Sequence, residues 1–535
     1  MRIQQTALAA AAMALVSTAP AYAGDTIEFD NGVMLDWALT TTYTAGMRVK
    51  NPDAILSGAA NGGANDGDNN FRRGSLTTNR LAGLFESKIY KGQTGFVFSG
   101  SSFYDDVYHR SNDNTGPINT VGPVDQFTRS ARFYQGGYTR LLDAYAYSTF
   151  DVGSTRATVR AGQHVVNWGE ALYFPSMGLA QGPADGTKTG IPGTETKDQL
   201  LPEGQVSTSV QMNSRWTLLG QLQFDWHPTL APAVGSFLSG SDATGPGAQC
   251  LQPVINGVCT FGRRGSDIAP SNFGQWGTGT RYRVSDETEV GLYYLNYKDR
   301  TPLPVINSFV PGGAYNIKYF DNVHLIGATF STLVGSKTTL AGEITQKIGA
   351  PVFVDTIVSP ATKATVPTPT RANILQANLN ALVNMGRTPL ADSLTLIGEV
   401  SYVHVSNVTS IKAPGVESLG AAAAFFPSSD SLSMARDSVA ASATASFSYP
   451  GIFTDWDLTV PISYSQQLAG ASITGGVGGG KGDKRYSLGL NFTFRNNLQI
   501  ALNYLGYLGS PSIKLPYTRQ LTDRDQVSIV AKYKF

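Results

Sequence analysis

LDWALTTTYTAGMR, residues Leu35–Arg48, alternates without a break. Leu35, Trp37, Leu39, Thr41, Tyr43, Ala45 and Met47 fall on one face; Asp36, Ala38, Thr40, Thr42, Thr44, Gly46 and Arg48 fall on the other. Alternation with a period of two marks a β-strand with one apolar and one polar side. A strand crosses the hydrocarbon of a bilayer in about 9–11 residues, and this one is longer. The same pattern recurs along the chain. Trp216, Leu218, Leu222, Phe224 and Trp226 share a face, as do Trp456, Leu458, Val460, Ile462 and Tyr464, and Tyr486, Leu488, Leu490, Phe492 and Phe494. These faces are expected toward lipid, with the end aromatics at the interfaces.

Short turns separate the alternating runs at residues 91–93, 153–154, 213–215, 285–287, 334–336, 386–392, 449–455 and 495–497. Between them lie long loops near 50–75, 105–137, 167–203, 228–274, 299–320, 349–370, 406–435, 468–481 and 508–523. Eight turns and nine loops imply eighteen strands, with sixteen as the alternative. The expected fold is all-β: a transmembrane antiparallel β-barrel of about 18 strands, with short periplasmic turns and long external loops. Closure leaves no unpaired strand edge in lipid.

The chain ends agree with an exported barrel. Arg2, the apolar run Ala7–Val16 and Ala21-Tyr22-Ala23 read as a signal peptide over residues 1–23, leaving 24–535 as one barrel domain. Val527, Ile529, Ala531, Tyr533 and the terminal Phe535 share a face, resembling the sorting signal by which the barrel-assembly machinery recognises outer-membrane proteins. The expected location is therefore the outer membrane of a Gram-negative cell, with membrane lipid as a partner. Forty basic against thirty-nine acidic residues argue against a nucleic-acid partner. Cys250 and Cys259, close together in an exported chain, are expected to form a local disulfide.

One connection stands apart. After the alternating Arg156–Ala161 the chain leaves for a loop of about 37 residues, where ordinary connections take about 4–6. It carries Trp168, Phe174 and Leu179 and is expected to fold inward, at the mouth or in the lumen. The lumen-lining candidates are Arg80, Arg156, Arg160, Gln163, Trp168, Glu170, Arg281, Arg283, Glu343 and Glu399, with Glu86, Lys88, Lys347 and Arg485 also assigned inward. Two strands repeat a phrase, LAGE ending at Glu343 and LIGE ending at Glu399. Inward charges either form a ladder that selects a solute or neutralise one another and hold a plug. The arginine excess favours anionic groups on the solute.

No cofactor is expected. Asp66, Asp68 and Asn70 have the oxygen spacing that opens a calcium loop, but the twelfth position lacks Glu, and a polar surface turn is the alternative. GGVGGGKG, Gly475–Gly482, imitates a phosphate-binding loop but ends in Gly482 where Ser or Thr is required, and reads as a flexible external loop. No G-x-S-x-G elbow occurs and the five histidines are scattered, so an enzyme is not expected. A barrel hydrolase would need Ser and His from different strands.

Several separated motifs resemble one family. They are DGDNNF (Asp66–Phe71) with Asn79-Arg80, RAGQHVVNWGEALYF (Arg160–Phe174), Pro192-Gly193 with Glu195 and Lys197, Gly274–Gly277, Tyr297–Pro304, Gly342-Glu343, Gly398-Glu399 and DRDQVS (Asp523–Ser528). Together they are similar to the proteobacterial outer-membrane family catalogued as domain of unknown function 1302. His164 departs from the family's bulky apolar residue, and Gln181-Gly182-Pro183 from its Asn-Pro loop. The resemblance implies an outer-membrane barrel met in settings of hydrophobic-compound breakdown and lipid handling. The expected function is a channel for a hydrophobic or amphiphilic small molecule, its lumen constricted by the inward loop. The alternatives are a general diffusion porin and a barrel-embedded lipid hydrolase.

Overall fold

The computed structural model describes residues 26–535; the signal-peptide expectation over 1–23 lies outside the described residues. Eighteen strands form the wall: β1 Met34–Arg48, β2 Leu76–Lys91, β3 Thr94–Asp105, β4 Gly137–Val152, β5 Thr155–His164, β6 Glu203–Gln211, β7 Trp216–Gln223, β8 Gln275–Arg283 and β9 Thr288–Tyr297. They continue as β10 Val323–Val334, β11 Thr338–Ser359, β12 Ala364–Gly386, β13 Ser393–Ser406, β14 Asp437–Phe453, β15 Trp456–Ala469, β16 Lys484–Phe494, β17 Leu498–Leu508 and β18 Gln526–Lys534. Each pairs antiparallel with its sequence neighbour. β1 pairs with β18, Thr40 opposite Lys534 through Arg48 opposite Gln526, so the sheet closes on itself. The two-residue strand Ile27–Glu28 adds to the turn end of β1. Closure satisfies every edge, which a sheet in lipid requires.

The register puts the expected apolar faces outside. Tyr43, Phe85, Phe96, Leu218, Leu222, Leu292, Ile326, Ile344, Leu379, Val400, Ile462, Leu488, Leu502 and Ile529 are all exposed. An exposed apolar band around a closed barrel has no stable home in water, and it fits a bilayer core. The polar faces turn inward. Thr42, Thr44, Ser101, Gln205, Gln221, Glu343, Gln376, Asn378 and Glu399 are buried inside the barrel.

Two expectations about loops are corrected. Residues 349–370 are not a loop: β11 and β12 run 22 and 23 residues and turn only at 360–363, with Thr356 opposite Val366. The β-branched run Val352–Val358 pairs with the Thr–Pro alternation opposite it, so the hairpin stands well beyond the height of its neighbours. The glycine-rich Gly475–Gly482 is not a free loop either. It folds against the wall, where Thr474 Oγ1 donates to Gln376 Oε1 at 3.0 Å.

At the loop end the connections pack on one another. Phe71, Val107, Tyr108, Phe127, Ala131, Ala233 and Phe237 form a buried cluster drawn from three loops. Beneath it Arg48 and Arg524, both fully buried, pair with Asp68 at 2.8 and 2.9 Å and with Asp523 at 3.0 and 3.4 Å. Buried charges are tolerated only when paired and hydrogen-bonded, and this quartet balances. Cys250 and Cys259 are disulfide-bonded within the β7–β8 loop.

Candidate functional site

Residues 165–202, between β5 and β6, are hydrogen-bonded to residues of several barrel strands. Their first half lies against the wall from β7 to β14. Glu343 accepts the backbone N–H of Glu170 at 3.0 Å and of Ser176 at 3.1 Å. Glu399 accepts those of Leu172 at 2.6 Å, Tyr173 at 2.9 Å and Phe174 at 3.3 Å. The intervening strand β12 supplies donors: Asn378 and Gln376 to the Phe174 carbonyl at 2.7 and 2.8 Å, and Asn380 to that of Glu170 at 2.8 Å. Irregular backbone inside a barrel must find such partners, because water cannot supply them all. The two glutamates lie on alternate strands and face the same irregular segment; the repeated phrase is a two-point clamp. Charge-assisted bonds of this kind are roughly twice as strong as neutral ones.

Apolar packing fixes the same half. Trp168 stacks on Tyr293 with ring centroids 5.9 Å apart, and a Cβ on Gly277 would stand 3.1 Å from the indole. Met177, Ala180, Leu295, Leu325 and Val403 complete the cluster. Arg281 holds the Tyr293 hydroxyl at 3.0 Å and the Trp168 carbonyl at 3.3 Å. A ladder of amides, Gln181 to Gln221 at 2.8 Å and Gln221 to Gln205 at 2.7 Å, ties the loop to β7 and β6.

The second half crosses to the opposite wall. Asp185 meets Arg140 of β4 at 2.8 Å, and Arg140 also donates to the Asp198 carbonyl at 2.8 Å. Lys197 bridges Glu86 of β2 and Asp143 of β4, each at 2.8 Å, and Glu195 meets Lys532 of β18 at 2.6 Å. Gly193, at φ +81, lies so close to β1 and β18 that a Cβ would come within 2.7 Å of Val530 and 3.0 Å of Thr42. The loop is therefore tied to β11 and β13 by its first half and to β2, β4 and β18 by its second.

Two separate gaps lie beside the second half along β1 and β2. The one toward the loop end is lined by Tyr108, Phe237, Leu238, Ile191 and Pro192, with Thr77, Thr78 and Gln526 between them. In the deeper one, Thr40, Thr42, Thr44, Arg80 and Leu84 face Pro192–Glu195 and Asp198. Arg80 lies flat over Phe103, 3.9 Å from the ring centroid, and the Lys188 ammonium approaches the same ring at 3.4 Å.

The sequence candidates thus separate into groups. Arg80 lines the deeper gap. The Glu343 and Glu399 carboxylates are occupied by loop N–H groups. Arg281 holds the Trp168 carbonyl and the Trp168 ring packs on Tyr293, whereas the Glu170 carboxylate makes no hydrogen bond among the described residues. Arg156, Arg160 and Arg283 are exposed, Arg160 midway along β5 and the other two at the turn end. Gln163 stands opposite Ala144 and Gly204 and makes no side-chain hydrogen bond among the described residues. Asp66, Asp68 and Asn70 do not converge. Asp66 and Asp68 lie in a short helix that Asn70 ends; Asp68 is held by Arg48 and Arg524, and Asn70 donates to the Gly235 carbonyl at 2.8 Å. Arg140, Lys197 and Arg300 were not among the lumen-lining candidates, although Lys197 and Arg300 fall within the quoted family motifs. The buried Arg300 donates to Gln223 and the Ala180 carbonyl, both at 3.0 Å. The acidic and basic residues inside ETKD, Glu195–Asp198, were the available signal for such wall contacts.

A Ser–His pair does occur on adjacent strands. Ser207 Oγ lies 2.7 Å from His164 Nε2, and His164 Nδ1 lies 3.0 Å from the Gly162 carbonyl. It faces the lumen rather than lipid, and a carbonyl of its own strand, not a carboxylate, orients the imidazole.

No curated protein matches the chain. Among solved structures, OccAB1 of Acinetobacter baumannii is 10% identical over 96% of this chain and 99% of its own, with a TM-score of 0.43. OpdK of Pseudomonas aeruginosa, solved with vanillate, is 11% identical over 94% and 98%, with a TM-score of 0.40. The outer membrane channel DcaP of Acinetobacter baumannii is 10% identical over 96% and 100%, with a TM-score of 0.38. The family described as protein of unknown function (DUF1302) matches residues 4–535, essentially the whole length, and the chain belongs to that family.

Proposed function

We propose that this barrel is an outer-membrane channel admitting a hydrophobic or amphiphilic small molecule past the loop at residues 165–202. The observation that carries this reading is the loop's span: clamped by Glu343 and Glu399 on one wall and by Arg140, Lys197 and Lys532 on the other. A loop so fixed narrows the lumen and leaves two gaps beside it. They differ with depth: aromatic and aliphatic side chains line the one near the loops, and threonine hydroxyls, Arg80, Glu195 and Asp198 line the one below, where Glu195 is paired with Lys532 and Asp198 with Arg140. That sequence of surfaces suits a solute with an apolar body and an anionic head, since binding sites orient ligands by a few polar groups on an apolar wall. A general diffusion porin would need an open bore and is disfavoured by the same span.

The test is uptake into proteoliposomes of a medium-chain carboxylate against its neutral amide and a sugar of equal mass. Faster entry of the carboxylate, slowed by Arg80→Ala, supports the reading; equal entry of all three contradicts it. The Ser207–His164 pair favours one second reading, a lumenal hydrolase. Labelling by a fluorophosphonate probe that Ser207→Ala abolishes would establish it.

A further inference from the structure

The loop cluster above the barrel holds more negative charge than its arginines balance. Arg48 and Arg524 are matched by Asp68 and Asp523. Two further carboxylates remain beside them, Asp66 from the β1–β2 loop and Asp242 from the β7–β8 loop. They are 2% and 1% exposed and in contact: the Asp66 N–H donates to Asp242 Oδ2 at 3.2 Å. Asn119, from the β3–β4 loop, is 0% exposed, and its backbone N–H donates to Asp66 Oδ2 at 3.1 Å. Oδ1 of Asp66, Oδ1 of Asp242 and both polar atoms of the Asn119 amide have no hydrogen-bond partner, and neither does Oδ1 of the neighbouring Asn65.

We propose that Asp66, Asp242 and Asn119 bind a calcium ion that ties three external loops together. Two buried carboxylates side by side repel, and an unpartnered buried polar group costs about 1–3 kcal/mol, more when charged. One divalent cation would offset the repulsion and take up the unpartnered oxygens of Asp66, Asp242 and Asn119. Every unsatisfied acceptor is an oxygen, which selects a hard cation, and calcium accepts six to eight such ligands in loose geometry where magnesium demands an octahedron. Carbonyl or water oxygens complete the shell. The site uses one residue of the DGDNN motif, Asp66, and draws the others from distant loops.

The experiment is calorimetric titration of CaCl2 into the full-length protein in detergent after EGTA treatment, with MgCl2 as the comparison. Saturable binding of one calcium per chain, with magnesium weaker, is expected. Asp66→Asn and Asp242→Asn should each weaken it at least tenfold, and Asn119→Ala severalfold. Protease nicking of the wild-type loops, slowed by CaCl2 and restored by EGTA, reads the same event without a variant. No saturable binding, or unchanged affinity in both carboxylate variants, overturns the proposal. So does an Asp242→Asn protein that melts above the wild type while calcium leaves the wild type unmoved, because the pair then shares a proton instead.

Discussion

Glu399 in the middle of β13 accepts the backbone N–H of Tyr173 at 2.9 Å, joining the lumenal loop to a strand 226 residues further along the chain. The same carboxylate takes Leu172 and Phe174, and Glu343 repeats the arrangement two strands away. The clamp converts an irregular segment into part of the wall.

Replacing a clamp carboxylate weakens that attachment without altering its shape. Glu399→Gln keeps an acceptor oxygen but loses its charge, and hydrogen bonds to charged groups contribute about 1.5–3 kcal/mol where neutral ones contribute about 1. Glu343→Gln and Glu399→Gln together are expected to raise trypsin cleavage at Lys188 and Lys197 severalfold in the folded barrel. Gel mobility of unheated samples checks that the barrel itself persists.

On the opposite wall Arg140 matters more than any single loop acid. It serves Asp185, fully buried, and the Asp198 backbone and carboxylate. Arg140→Ala removes the ion-pair partner of the buried Asp185, where breaking a buried pair costs about 3–5 kcal/mol. Spin labels on the loop and on β4 are expected to show a broadened distance distribution in Arg140→Ala and a narrow one in the wild type.

The quartet under the loop cluster sets global rather than local stability. Asp68→Ala removes the partner shared by Arg48 and Arg524. It is expected to lower the temperature at which the unheated gel form is lost by more than Asp113→Ala, whose carboxylate accepts only the Arg72 N–H and the Ser75 hydroxyl. Equal losses would mean that the quartet does not carry the loops.

Much of the fold was legible because a barrel strand writes its two environments alternately into the sequence. Leu35–Arg48 announces lipid on one side and lumen on the other, and the alternation of short and long connections gave the eighteen strands. The 349–370 segment was misread because Pro351, Pro360, Pro367 and Pro369 signal a loop, whereas Pro360 lies in the turn and Pro367 and Pro369 lie where β12 pairs with β11 alone, a free edge that tolerates proline. The site was only partly legible. Period two assigns Glu343 and Glu399 to the inner face but cannot say whether an inner charge meets solute or backbone. That depends on where a distant loop lies, and a single strand carries no record of it. Asp66 was visible and its partners Asp242 and Asn119 were not, since loops converge without periodicity.

The central claim is that residues 165–202 constrict the lumen. Conductance of the intact protein in planar bilayers, compared with a deletion of residues 178–193, tests it most directly. The account predicts small or undetectable steps from the intact protein and large, stable steps from the deletion. Large steps of equal size from both would contradict it.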